Sequence, residues 1–193
     1  MDLTQGTTEE KIERAKKTMM WFAMISMAMV FAGLTSAYVV SKSRKDWGID
    51  LNFPQEFIYS VIVMLTSSVT LFMVKKGIEN DKRLLAGLLL ITTLLLGGAF
   101  VVLQFQGFGD MIAQGYYFTG PASNIVSTFM FVIVVTHLAH LAGGLIVLLV
   151  LIYNHFKQKY RKGKTLGLEL GAMYWHFVDF LWVYLFLFMF FVQ

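Results

Sequence analysis

Five runs of the chain, at about residues 18–41, 57–74, 84–105, 124–153 and 171–192, are each apolar and long enough to cross a bilayer as a helix. A chain with five such runs in 193 residues has one economical fold: an all-α polytopic membrane bundle of five transmembrane helices. Composition agrees, since 57% hydrophobic residues, 16% aromatics and only 15% charge do not fit a soluble domain of this length. Residues 1–17 are a polar arm, expected as a surface helix or frayed segment, and residues 18–193 form one five-helix domain. There is no internal repeat, low-complexity linker or second domain.

The excess of basic over acidic residues would suggest nucleic acid in a soluble protein, but here the loops account for it and no nucleic-acid partner is expected. Five spans put alternate loops on opposite sides. Thirteen of the sixteen Lys and Arg residues fall on one side: Lys11, Arg14, Lys16 and Lys17 in the arm, Lys75, Lys76, Lys82 and Arg83 after the second span, and Lys157, Lys159, Arg161, Lys162 and Lys164 after the fourth. Lys42, Arg44 and Lys45 lie on the other. The positive-inside rule then puts the N-terminus in the cytoplasm (or matrix) and Gln193 outside. The first span follows a stretch charged with both signs and lacks a small-residue cleavage site, so it reads as retained. With no cysteine, the chain offers no disulfide, no thiolate ligand and no cysteine-held iron–sulfur cluster.

Between the spans, Pro54 suits the start of a helix. Thr66, Ser67, Ser68 and Thr70 can bond helical carbonyls or a neighbour, and Gly87, Gly97, Gly98, Gly143 and Gly144 permit close helix contact. Gln104 and Gln106 close the third span, and residues 107–123, aromatic and without lysine or arginine, read as an outer loop.

The last span carries Tyr174-Trp175-His176-Phe177-Val178-Asp179, then Trp182. His176 and Asp179 are three apart and share a helix face, as do His137 and His140 in the fourth span. An ionised carboxylate in hydrocarbon costs several kcal/mol unless paired, so these faces must look at protein or water. Two readings compete: a metal or proton site, and a polar clasp that fastens helices. The clasp is favoured because buried polar groups are in general first of all satisfied groups. At about 1.5 Å per residue, His137 and His176 come out on the order of 10 Å apart in depth, too far for one ion to take all four. Glu169, two turns before His176, suits a loop cation or the helix start better than proton uptake. Trp175 and Trp182, seven apart, read as packing or interface anchors.

The motif from Tyr174 to Asp179 with Trp182, preceded by Glu169 and by His137-x-x-His140 with Gly144, closely resembles subunit III of the haem-copper oxidases, the cytochrome c oxidase family. The resemblance extends through Pro54, Ser67-Ser68, Glu79-Asn80-Asp81-Lys82-Arg83 and Leu103-Gln104, nearly the whole chain after the arm, and is to the short five-helix bacterial form. It implies an accessory subunit without cofactor or metal of its own in a bacterial inner membrane. Haem and copper sit in the partner catalytic subunit I, beside other oxidase subunits and in some cases a larger respiratory supercomplex. Phospholipid binds in a cleft between helices, and the subunit supports oxygen access and proton uptake. On this resemblance His137, His140, Glu169, His176 and Asp179 are the structural polar network, and Tyr174, Trp175, Trp182, Gly143 and Gly144 serve lipid or helix packing. Many members carry a buried glutamate where this chain has Met27, so a proton-antenna role at that position is not carried over.

Alternatives remain. The same subunit serves quinol oxidases and accompanies nitric oxide reductases. From another class, a membrane metalloenzyme would use His137, His140, His176 and Asp179. A transporter is disfavoured by the lack of a repeat or of paired broken helices.

Overall fold

The computed structural model describes residues 7–44, 47, 54–120, 123–160 and 165–192. Residues 1–6 of the arm, the loop cations Lys45, Arg161, Lys162 and Lys164, and Gln193 lie outside the described residues. The described chain is all-α: α1 (Thr8–Ser41), α2 (Gln55–Glu79), α3 (Arg83–Ala113), α4 (Ile125–Phe156) and α5 (Leu166–Phe191). All five are long and apolar enough to cross a membrane, as the five apolar runs predict.

Local chemistry sets the helix starts. Thr7 and Glu10 form a capping box, with Glu10 N–H donating to Thr7 Oγ1 at 3.4 Å and Thr7 N–H to Glu10 Oε2 at 3.0 Å. The polar arm from Thr8 onward is therefore one continuous helix with the first span. Pro54 stands at the N-cap of α2, and Asn124 caps α4 by accepting from the Ser127 N–H at 2.7 Å.

α3 departs from the sequence expectation. It continues through residues 107–113, which the aromatic character and the absence of cations mark as outer loop. Packing favours this: Phe108 stacks on Phe131 of α4 with centroids 4.9 Å apart, and Met111 is buried. Gly107 lets the Phe57 ring lie against the helix.

Helices α2, α3, α4 and α5 form a ring, each packed on the next and α5 closing onto α2, while α1 lies outside along α4 and α5. The largest fully buried side chains include Trp175, Trp182, Phe31, Phe57 and Phe100, so the two tryptophans of α5 are at the centre of the core. Three polar contacts hold α1 on α5: Lys17 Nζ to Glu169 Oε2 at 2.9 Å, the Thr35 and Tyr184 hydroxyls at 3.3 Å, and Lys42 Nζ donating to the Val192 carbonyl at 3.0 Å. They fall near the start, middle and end of α5.

Candidate functional site

The polar residues of α5 meet a row of serines on α2. Trp182 Nε1–H donates to Ser60 Oγ at 3.0 Å, and Trp175 Nε1–H to Ser67 Oγ at 2.8 Å. Ser60 donates its own proton to the Phe57 carbonyl at 2.7 Å, so its hydroxyl both donates and accepts. Both pairs are buried. The seven-residue spacing of the serines matches that of the tryptophans, and the two helices run antiparallel, so one seam repeats its contact after two turns. Next to the Ser67–Trp175 pair, His176 Nδ1 bonds the Ser68 hydroxyl.

On its other side α5 meets α4 and α3 through small residues. Tyr174 O–H donates to the His140 carbonyl at 2.8 Å, and its hydroxyl oxygen lies 3.2 Å from where a Cβ on Gly143 would stand. The Trp175 indole lies between two helices: a Cβ on Gly97 of α3 would fall 2.8 Å from it, and one on Gly144 of α4 3.1 Å. Glycine at both positions is what admits the ring.

The two histidines of α4 differ. His140 Nδ1 lies 2.7 Å from the Thr136 carbonyl of its own helix, and because a carbonyl only accepts, Nδ1 carries the proton. His137 is fully buried, its ring 5.0 Å from Trp182, 5.9 Å from Phe100 and 6.4 Å from Phe31. Neither of its nitrogens has a hydrogen-bond partner, so it packs as an aromatic ring. Asp179, 2% exposed, likewise has no hydrogen-bond partner on either oxygen. Gln104, expected at the end of a span, is buried within α3 and is also unpartnered. The hydrogen-bonded clasp thus runs through Trp175, Trp182, His176 and Tyr174, while His137 and Asp179 stand outside it.

At the basic end of the bundle, Glu169 receives Lys17 of α1 on Oε2 at 2.9 Å and Lys75 of α2 on Oε1 at 3.0 Å, with the Thr165 hydroxyl on Oε1 at 3.2 Å. Glu169 and Lys17 flank the apolar runs 171–192 and 18–41. Hydrogen bonds from Lys17 and then Lys75 hold the Glu169 carboxyl well below its ordinary value, at about 2, and the same bond to Glu169 raises the Lys17 ammonium.

His137, His140, His176 and Asp179 do not converge. His137 lies level with Trp182, six residues and therefore about 9 Å along α5 from His176. Among the described residues no three of His, Cys, Asp and Glu come together as a metal-binding group. Sequence reading had Ser67 and Ser68 as candidate bonding groups but missed Ser60; the matching seven-residue spacings were the available signal.

The family model for cytochrome c oxidase subunit III matches residues 5–193. The chain is similar to cytochrome bo(3) ubiquinol oxidase subunit 3 of Buchnera aphidicola subsp. Acyrthosiphon pisum, 24% identical over 97% of this chain and 92% of that protein. It is similar to cytochrome c oxidase subunit 3 of Bacillus sp. strain PS3, 28% identical over 86% of this chain and 80% of the relative. It also resembles cytochrome c oxidase subunit 3 of Corynebacterium diphtheriae, 27% identical over 86% and 82% of the two chains. With the match running over nearly every residue, the motif of α5 included, the chain belongs to the cytochrome c oxidase subunit III family.

Proposed function

We propose that the chain is the cofactor-free accessory subunit III of a bacterial terminal cytochrome c oxidase, in the cytoplasmic membrane with its N-terminus in the cytoplasm and its C-terminus in the periplasm. In this reading it packs on catalytic subunit I, which holds haem and copper, stabilises it, binds phospholipid and supports oxygen access and proton uptake. The observation that carries the proposal is the family match over residues 5–193, which includes the α5 face where Trp175, Trp182 and His176 are engaged by α2 serines. Those side chains are occupied in joining helices, which suits a structural subunit. The reading extends to His140, Glu169 and His176 as polar groups that set helix packing, with His137 and Asp179 enclosed within the same bundle. Relatives named for quinol oxidation match as well, so a quinol oxidase is the second reading.

Purifying the tagged chain from its own membrane in mild detergent and recording a reduced-minus-oxidised spectrum tests the proposal. A haem-bearing partner should be retained, and the preparation should oxidise reduced cytochrome c. Oxidation of a quinol in its place would select the second reading, and a stable preparation with no haem-bearing partner would sink both.

A further inference from the structure

The layer between the two tryptophan–serine pairs of the α2/α5 seam holds a polar group that no side chain bonds. Asp179 lies four residues after Trp175 and three before Trp182, about 6 and 4.5 Å from them along the axis of α5. At about 100° per residue it falls between Trp175 and His176 on the helix circumference, and both of those bond serines of α2. Asp179 therefore faces α2 as well. The α2 residue level with it is Met64, four after Ser60 and three before Ser67. Met64 is fully buried, as is Val178 beside Asp179.

Ser67 keeps an uncommitted proton. Ser60 accepts from Trp182 and donates to the Phe57 carbonyl, whereas Ser67 accepts from Trp175 and its own proton has no acceptor among the described residues. The two unsatisfied groups lean toward each other. Side chains tilt toward the N-terminus of their own helix, and α2 and α5 are antiparallel, so Ser67 tilts toward the level of Asp179 and Asp179 toward that of Ser67. They do not bond directly, since neither Asp179 oxygen has a hydrogen-bond partner among the described residues. Both oxygens are enclosed by the bundle, out of reach of any neighbouring subunit.

A free hydroxyl proton on one helix and a carboxyl on the next, close in register and both buried, supply the two or more polar partners that an internal water needs. A cation fits less well. It would call for about six oxygen ligands, and Met64 and Val178 bring no side-chain oxygen to this layer.

We propose that one internal water molecule is held between Ser67 and Asp179, accepting the Ser67 O–H and donating to the carboxyl. It forms a third polar rung between the two tryptophan rungs, and through it Asp179 joins the clasp. Neither the oxidase partnership nor the membrane orientation is required by it.

Cryo-electron microscopy of the purified complex, at a resolution that shows ordered water, tests the site. One peak should lie within about 3.2 Å of both Ser67 Oγ and an Asp179 oxygen. A direct Ser67–Asp179 bond, a place without density, or a peak with about six oxygen neighbours, as a cation requires, overturns the proposal. Melting of the complex gives an independent reading. Asp179→Leu removes the carboxyl and fills the place of the water. Its drop in melting temperature should shrink to about half or less in a Ser67→Ala background, which has already lost the water's donor. In a Ser60→Ala background the drop should be unchanged, because the Ser60 proton belongs to Phe57. Equal drops in the parent and Ser67→Ala backgrounds overturn the proposal. If Asp179→Leu does not assemble, Asp179→Ala is read in the same cycle.

Discussion

Ser60 and Ser67 show what a small hydroxyl does between two membrane helices. Each accepts an indole N–H that would otherwise be buried without a partner. Removing the acceptor leaves the tryptophan donor unsatisfied, a cost of roughly 1–3 kcal/mol. Ser67→Ala is therefore expected to lower the melting temperature of the purified protein, and Ser60→Ala to do the same. His137 is the opposite case. With both ring nitrogens unpartnered and aromatic rings around it, His137→Phe replaces a desolvated polar ring by an apolar one of similar shape. That variant should melt no lower than the parent; a drop comparable to that of Ser67→Ala would mean that the imidazole has a partner essential to the native protein. This difference between the histidines and the serines was invisible in the sequence. Spacing shows which residues share a face, but the rotation of α4 that turns His137 into the Phe31, Phe100 and Trp182 cluster is set by packing.

At the scale of the helix, α1 is the element with the least apolar enclosure and the clearest polar moorings. Glu169 joins its first apolar turn to α5 and, through Lys75, to α2. These pairs are partly exposed, so each is worth only about 0–1 kcal/mol after solvent screening. Glu169→Gln should raise amide hydrogen exchange in the first turns of α1 about two- to fivefold and leave α4 unchanged. The carboxyl is held at about 2, below its ordinary value of 4.5, so its contribution is complete above the ordinary value and is lost as pH falls from there through 2. Exchange in these turns, corrected for intrinsic chemistry, should thus give the same protection at pH 7 and pH 5.5; loosening already at pH 6 would contradict the ion-pair account. The five helices themselves were legible because length and hydropathy dominate in a bilayer. The seven residues added to α3 were not, because an aromatic stretch without cations reads as an outer loop and only Phe108 on Phe131 and buried Met111 reveal why the helix persists.

The whole molecule is a ring of four helices with α1 laid outside it, held together by a polar seam on one side of α5 and glycine-admitted aromatics on the other. The absence of cysteine makes its orientation directly measurable. Lys82→Cys and Gln114→Cys, one residue before and one after α3 and both exposed, should react with an impermeant maleimide from opposite sides: Gln114→Cys in intact cells and Lys82→Cys only after the membrane is opened. The reverse pattern would invert the proposed topology. The family was legible from the α5 motif and its neighbours, whereas the α2 serine seam needed coordinates, because it joins residues more than a hundred positions apart.

The central claim is that this chain fastens and supports a catalytic neighbour without carrying electrons itself. Gently stripping the subunit from the purified oxidase and following activity and metal content of both fractions tests it most directly. All haem and copper should stay with the remainder, whose initial turnover should persist while its activity decays faster than that of the intact complex. Recovery of haem or copper with the detached chain, or immediate loss of turnover with the remainder still folded and fully metallated, would contradict the account.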